Sequence, residues 1–359
     1  MSRTAYLILE NGTVFEGKAF GAEKETIGEL VFTTSMIGYN ATITDANYFG
    51  QVVLQTFPLI GNYGVISSER ESECPSLNAY IVREWCQVPS NFRSEGDLDT
   101  FLQNVGVPGI YGIDTRSLTR IVRDNGVLNC KLSYSPEVNE GVLEEIKNYK
   151  IANAVKSVVK DEVKEIKAEN GSYKVVLMNF GTTKNLVENL VSLGCDVTIV
   201  PGYTSAEDVL ALNPDGVVLS DGPGDPAENT QIIEEIKKIC DANVSVFGVS
   251  LGHQLLALSQ GAKTVKLKYG HRGASQPSKC LETGRVYITT QNFGYAVDAE
   301  SLPENAKLSF VNCNDNTCEG IDYTGVSAYS VQFHPDFCGG PQDTSFIFDR
   351  FINTMKDNK

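Results

Sequence analysis

Apolar and polar positions along the chain fall into two regimes. Up to about residue 130 the apolar runs are short and strand-like: Tyr6 to Leu9 and Thr13 to Phe15 flank Asn11-Gly12, a dipeptide that favours a type I′ hairpin turn. Further strands are expected at Glu29 to Thr33 and Val52 to Thr56. One helix interrupts them at Asp114 to Asp124, where Thr115 can cap the first turn. There Leu118, Ile121 and Val122 recur at helical spacing, and Gly126 lies just past the end.

From Asn139 to Tyr173 the chain turns rich in lysine and glutamate, and the reading places a linker there, giving domains at 1–150 and 174–359 joined by 151–173. Beyond it strands and helices alternate. Val175 to Met178 is followed by a helix over Lys184 to Leu193 ending at Gly194, and Val197 to Val200 by a helix that Thr204-x-x-Glu207 opens as a capping box. Gly216 to Leu219 and Val244 to Phe247 are nearly continuous apolar runs, the pattern of strands buried on both faces of a parallel sheet. The fold class is therefore α/β: a C-terminal doubly wound, mostly parallel sheet after a β-rich α+β N-terminal domain. Its site is expected in the loops at the strand C-termini.

Composition narrows the function. At 359 residues the chain exceeds one ordinary core, and 42% hydrophobic with 21% charged residues suits two globular domains. A net charge of -15 repels nucleic-acid phosphates and anionic lipid, so neither is an expected partner. The start lacks the long apolar stretch of a signal peptide, and no run approaches the roughly 18 apolar residues that span a bilayer, which points to the cytoplasm. Nine cysteines without a C-x-x-C pair read as reduced thiols. With only three histidines, His253, His271 and His334, no metal is expected.

Three strings carry candidate chemistry. Gly248-Val249-Ser250-Leu251-Gly252 ends an apolar strand and opens the helical run His253 to Leu258. Flanking glycines permit the tight turn of a nucleophile elbow, which presents Ser250 and aims helix N-terminal amides at a developing oxyanion. An ordinary turn with a capping serine would read the same. In Gln332-Phe333-His334-Pro335-Asp336, a strand over Tyr329 to Phe333 would put His334 and Asp336 near its C-terminal end on one side. The carboxylate there can orient the imidazole and stabilise its charged form. Lastly, Leu219-Ser220-Asp221-Gly222-Pro223-Gly224-Asp225-Pro226 follows a buried strand, and Gly222 and Gly224 permit close backbone approach to a ligand.

The order and separation of these strings resemble class I glutamine amidotransferases. In the first domain, T-T-S-M-I-G-Y at Thr33 to Tyr39, P-L-I-G-N-Y-G at Pro58 to Gly64 and G-I-D-T-R-S-L-T at Gly112 to Thr119 are similar to the carbamoyl-phosphate synthetase small subunit. That resemblance implies a subunit that takes ammonia from L-glutamine through a glutamyl thioester and feeds it to a large subunit making carbamoyl phosphate for pyrimidine and arginine synthesis. It implies no cofactor on this chain, with ATP, magnesium and bicarbonate handled by the large subunit, and no G-x-x-x-x-G-K-[ST] string is present. Ser250 matches the nucleophile position, His334 the general acid/base and Asp336 the orienting carboxylate. The amides of Gly222 and Leu251 match the oxyanion hole, and Gly224, Gln254, Asn292, Gly294 and Tyr295 match glutamine contacts, joined by Ser35 from the first domain.

Several positions depart from the family. Serine stands where the family keeps cysteine, and a hydroxyl must lose its proton during attack whereas a thiol is readily activated to thiolate, so Ser250 is expected to be far slower. Asp336 replaces the usual glutamate, Phe293 the histidine of Asn-His-Gly, and Asn179 and Thr183 the aspartate and lysine around D-F-G-x-K. An engineered cysteine-to-serine change would touch one position, whereas natural loss of activity lets several drift together, and the additional departures favour the latter. Two other functions stay open: a silent regulatory subunit of an ammonia-dependent synthetase, and an independent serine hydrolase using Ser250, His334 and Asp336.

Overall fold

A computed structural model describes residues 3–336 and 340–358. The chain forms two compact units, Met1–Ala152 and Asn153–Lys359. In the first, β1 (Thr4–Leu9), β2 (Val14–Gly21), β3 (Thr26–Thr33), β4 (Gln51–Gln55), β5 (Ala79–Val82), β6 (Pro108–Tyr111) and β7 (Leu128–Ser133) close into a barrel ordered β1-β2-β6-β5-β4-β3-β7. The neighbours β3 to β6 run parallel and the other pairs antiparallel. Alternate residues feed two apolar clusters, Leu30, Val52, Leu54 and Ile81 in one, Val31, Val53, Tyr80 and Val82 in the other. Strands buried on both faces explain the unbroken apolar runs here.

Two local expectations in this unit need correction. The first hairpin closes with three loop residues, Glu10 to Gly12, and only Gly12 takes a positive φ (85°). Asn11 keeps a negative φ and its Oδ1 accepts from the Thr13 amide at 3.0 Å, so the loop is a type I turn with a left-handed glycine rather than a type I′ turn. Helix α1 (Thr115–Asn125) is capped by Asp114, whose Oδ1 accepts from the Ser117 amide at 3.0 Å, not by Thr115. The carboxylate reaches the third helical amide, whereas the Thr119 hydroxyl, one turn on, donates to the Thr115 carbonyl.

The second unit holds one ten-stranded sheet. Its strands are β8 (Lys164–Ile166), β9 (Tyr173–Asn179), β10 (Cys195–Pro201), β11 (Gly216–Leu219), β12 (Ser245–Val249), β13 (Thr264–Cys280), β14 (Val286–Val297), β15 (Ala306–Asn312), β16 (Cys318–Tyr323) and β17 (Ala328–Val331). They follow the order β8-β10-β9-β11-β12-β17-β16-β15-β13-β14. From β10 to β17 neighbours are parallel, forming the doubly wound centre, and β16 to β14 add an antiparallel arm. Helices α2 (Lys184–Ser192), α3 (Ala206–Ala211), α4 (Thr230–Asp241), α5 (Leu251–Ser259) and α6 (Phe346–Asp357) cover the two faces. Ile236, Ile239, Leu255 and Leu256 pack on one side, and Leu186, Leu190, Phe348 and Phe351 on the other.

Three details differ from the sequence reading. The cap of α3 is Ser205, which accepts from the Asp208 amide at 3.1 Å, while the Thr204 hydroxyl donates to Pro201. Within 151–173 lie a short helix, Ala154–Val158, and β8, which pairs with β10 as the edge of the sheet. Finally, β17 ends at Val331, so His334 stands three residues beyond it, attached instead by a single bridge to Thr290 of β14. Among the described residues no helix is long and apolar enough to cross a membrane.

Candidate functional site

Ser250 joins β12 to α5 at φ 51° and ψ -107°. The other described non-glycine residues with positive φ are all asparagines, the residue type that tolerates this region best. A serine held there stores strain of the kind found where function dictates the backbone, about 1–3 kcal/mol. The turn is over-determined by its surroundings. The Ser250 amide donates to Val331 O at 2.9 Å, and the Gly252 amide donates to Ser220 O at 2.9 Å. Both elbow glycines are steric requirements: a Cβ on Gly252 would lie 2.1 Å from Leu219 O, and one on Gly248 would lie 2.8 Å from Gly252 O.

The loop after β11 closes against this turn. A Cβ on Gly222 would lie 2.8 Å from the Leu251 side chain, so the two residues whose amides were expected to form the oxyanion hole are neighbours. Ser220 Oγ accepts from the Phe180 amide at 2.9 Å, and buried Asp221 accepts from the Thr183 amide at 3.2 Å. The end of β9 is thereby fastened to the same loop. Gly224 follows at φ 94°, facing Ala154.

His334 and Asp336 are both buried. The His334 amide donates to Thr290 O at 2.9 Å, tying the segment to β14. Burial pushes the His334 imidazole down to about 4, so at neutral pH it carries no charge. The neutral ring is thus the resting form, and it is the form a general base requires. Asp336 Oδ2 accepts from the Thr183 hydroxyl at 3.0 Å. Thr183 entered the sequence reading only as a departure from a family lysine; its contact with Asp336 had no signal at 153 residues' separation.

The expected glutamine contacts in this unit cluster on α5 and β14. Gln254 is buried, and its Nε2 donates to Tyr295 O and, at 2.9 Å, to Gln332 Oε1. Asn292 pairs with Arg272 across β13, Gly294 follows Phe293, and Tyr295 is half-buried with Lys266 Nζ 5.8 Å from its ring centre. Phe293 turns against the His271 ring, with centroids 5.0 Å apart. Ser35 belongs to the first unit, where its hydroxyl is 3.4 Å from Thr33 Oγ1 and its carbonyl accepts from Gln55 Nε2.

Sequence reasoning missed a buried polar cluster beside Asn292. Glu319 on β16 is fully buried and accepts from Gln291 Nε2 at 2.7 Å and Asn312 Nδ2 at 3.0 Å. His271 Nδ1 meets Gln291 Oε1 at 3.0 Å, and Nε2 meets Asp315 Oδ2 at 2.8 Å. The Gln291 amide nitrogen is committed to Glu319, so its oxygen faces Nδ1, where Asn312 Nδ2 also lies at 3.3 Å. Gln291 at the closer distance and Asp315 at Nε2 both favour a ring that donates from each nitrogen, an imidazolium. Burial opposes that charge, but hydrogen bonds to Asp315 and Glu319 outweigh it and hold the pKa up at about 9. The one available signal was an acid, Glu319, near the start of the strand Cys318–Tyr323, which carries a second acid, Asp322.

His253, the remaining histidine, is structural: it is buried against Ser330 Oγ at 2.8 Å, and burial pushes it down to about 3. All eight described cysteines are free thiols. Among the described residues no group of three or more His, Cys, Asp or Glu could hold a metal ion.

Residues 7–132 match the family model for the carbamoyl-phosphate synthase small chain, CPSase domain, and residues 176–354 match that for class-I glutamine amidotransferase. The carbamoyl phosphate synthase small chain of Fusobacterium nucleatum is 48% identical, over 98% of this chain and 98% of that protein. That of Clostridium perfringens is 47% identical over 97% and 98% respectively, and that of Staphylococcus saprophyticus 42% identical over 100% and 98%. The chain belongs to the carbamoyl phosphate synthase small chain family, and its second unit carries the class I glutamine amidotransferase domain.

Proposed function

We propose that the chain is a small subunit that binds L-glutamine beside the Ser250 elbow and partners a large subunit that makes carbamoyl phosphate. In this reading its own glutaminase step is slower by orders of magnitude than that of a cysteine enzyme. The observation that carries glutamine handling is the strained backbone at Ser250, which a mere strand-to-helix connection would have no reason to keep. In the reaction Ser250 would attack the side-chain amide while neutral His334 takes the hydroxyl proton, and the amides of Gly222 and Leu251 would receive the developing oxyanion. His334 would then protonate the departing ammonia.

The slow step has support of its own. Two departures from the family, Thr183 and Asp336, meet in one hydrogen bond of 3.0 Å. A single engineered change at residue 250 does not couple positions 183 and 336, so the bond favours drift of the whole site and a role that leans on free ammonia.

The test measures ammonia release from glutamine by the chain with its large subunit. Ser250→Cys alone is expected to recover little of the ~10⁶-fold that a lost nucleophile can represent, and Asp336→Glu with Phe293→His is expected to recover more. A fully active single revertant would overturn the drift reading. Calorimetry that detects no glutamine binding to the complex at millimolar concentration, about -4 kcal/mol, would overturn glutamine handling itself.

A further inference from the structure

The string G-I-D-T-R-S-L-T identifies the family, but the chemistry above makes no use of it. Its helix, α1, buries Leu118 and Val122 against the barrel, which leaves Arg116, Arg120 and Arg123, spaced by four and three residues, on one exposed face. Arg83 follows β5 directly, and Thr56 and Pro58 follow β4. Together with Thr115 and Thr119 these residues line one cleft of about 760 Å³. It opens where the parallel strands β4, β5 and β6 end, the place at which parallel sheets present loops to ligands.

The cleft is selective in what it gathers. It takes four of the chain's ten arginines and none of its twenty lysines, in a protein of net charge -15. No acidic side chain lines it; Asp114 and Asp124 border a separate hollow on the other flank of Arg116 and Arg120. Among the described residues, Arg123 alone of these four forms an ion pair, with its neighbour Asp124 at 2.8 Å in a largely exposed contact. Four guanidinium groups around one space repel each other unless an anion joins them. Arginine is preferred to lysine where planar oxyanions are held by two hydrogen bonds at once. A volume of this size exceeds a single phosphate and suits a nucleotide-sized molecule.

We propose that the cleft after β4, β5 and β6 binds a small molecule bearing a polyphosphate group, held by Arg83, Arg116, Arg120 and Arg123. The site lies wholly within the first unit and does not depend on the glutamine reading.

The test titrates inorganic pyrophosphate into the full chain by calorimetry at fixed ionic strength. Saturable one-site binding is expected. It should weaken at least tenfold in Arg116→Ala/Arg120→Ala and, with the charge kept but the fork removed, measurably in Arg83→Lys. Arg285→Ala, at a surface arginine of the second unit, serves as control and should bind like the parent. All these side chains are solvent-exposed, and matching thermal unfolding confirms that the variants fold. Absence of saturable binding at millimolar pyrophosphate, or equal weakening in the control, overturns the proposal. Citrate binding as tightly as pyrophosphate overturns the phosphoryl assignment. If the double variant loses co-migration with the large subunit while the parent fails to bind pyrophosphate, the cleft is a protein contact instead.

Discussion

Replacing Glu319 with glutamine tests the buried cluster quantitatively. In the folded chain His271 holds its proton up to about pH 9, against an ordinary value of 6.5. A folded pKa above the unfolded one means that the folded state binds the extra proton between the two values. The stability it contributes is fully present below pH 6.5 and is lost as pH rises through 9. The difference between the two values corresponds to about 3 kcal/mol. Of the two carboxylates responsible, Asp315 is nearly half exposed, with 46% of its side chain in solvent, so its share is screened, whereas Glu319 is fully buried. Glu319→Gln should therefore remove at least half of the pH-dependent loss. It should also lower stability at pH 6.5 by about 2 kcal/mol, because the amide nitrogen takes the place of one carboxylate oxygen and so presents a donor to either Gln291 or Asn312, each a donor itself. Urea unfolding of parent and variant, measured across pH 6 to 9.5, reads both effects, and groups elsewhere cancel in the difference. Parallel curves for the two proteins over that range would refute the imidazolium assignment.

Two further changes probe the elbow and its surroundings. Gly252→Ala places a Cβ 2.1 Å from a backbone oxygen of β11, which no rotamer can relieve, and should destabilise the second unit by about 3 kcal/mol or prevent its folding; a midpoint of urea unfolding equal to the parent's would contradict the packing described. Thr183→Val keeps shape but leaves buried Asp336 without that donor, and is expected to cost about 1–3 kcal/mol in thermal unfolding, with Thr183→Ser retaining most of it.

What was legible in the sequence was whatever local chemistry decides. The runs Gly216 to Leu219 and Val244 to Phe247 showed a buried parallel sheet because strands covered on both faces have no polar side to show. The elbow was legible because its two glycines are fixed by contacts within a few residues or with the adjacent strand. Caps and turns were placed one residue off, at Thr115 for Asp114 and Thr204 for Ser205, because adjacent polar residues compete for the same amides and only the final backbone path selects one. Barrel closure was not legible, since it rests on β7 pairing with both β1 and β3 across about a hundred residues or more. The same holds for Thr183 with Asp336 and for His271 with Glu319: each residue alone is unremarkable, and distance along the chain hides the pair.

The bridge between His334 and Thr290 ties the candidate site to two different parts of one sheet. Ser250 is anchored in the middle of the parallel strands, where exposing its amide to exchange with solvent requires opening β12 from β17. His334 is buried three residues beyond β17, and its amide donates to Thr290 on the outermost strand of the antiparallel arm. The alignment of Ser250 with His334 is therefore a property of the margin of the sheet as well as of its core, and a ligand that spans α5 and β14 would touch both.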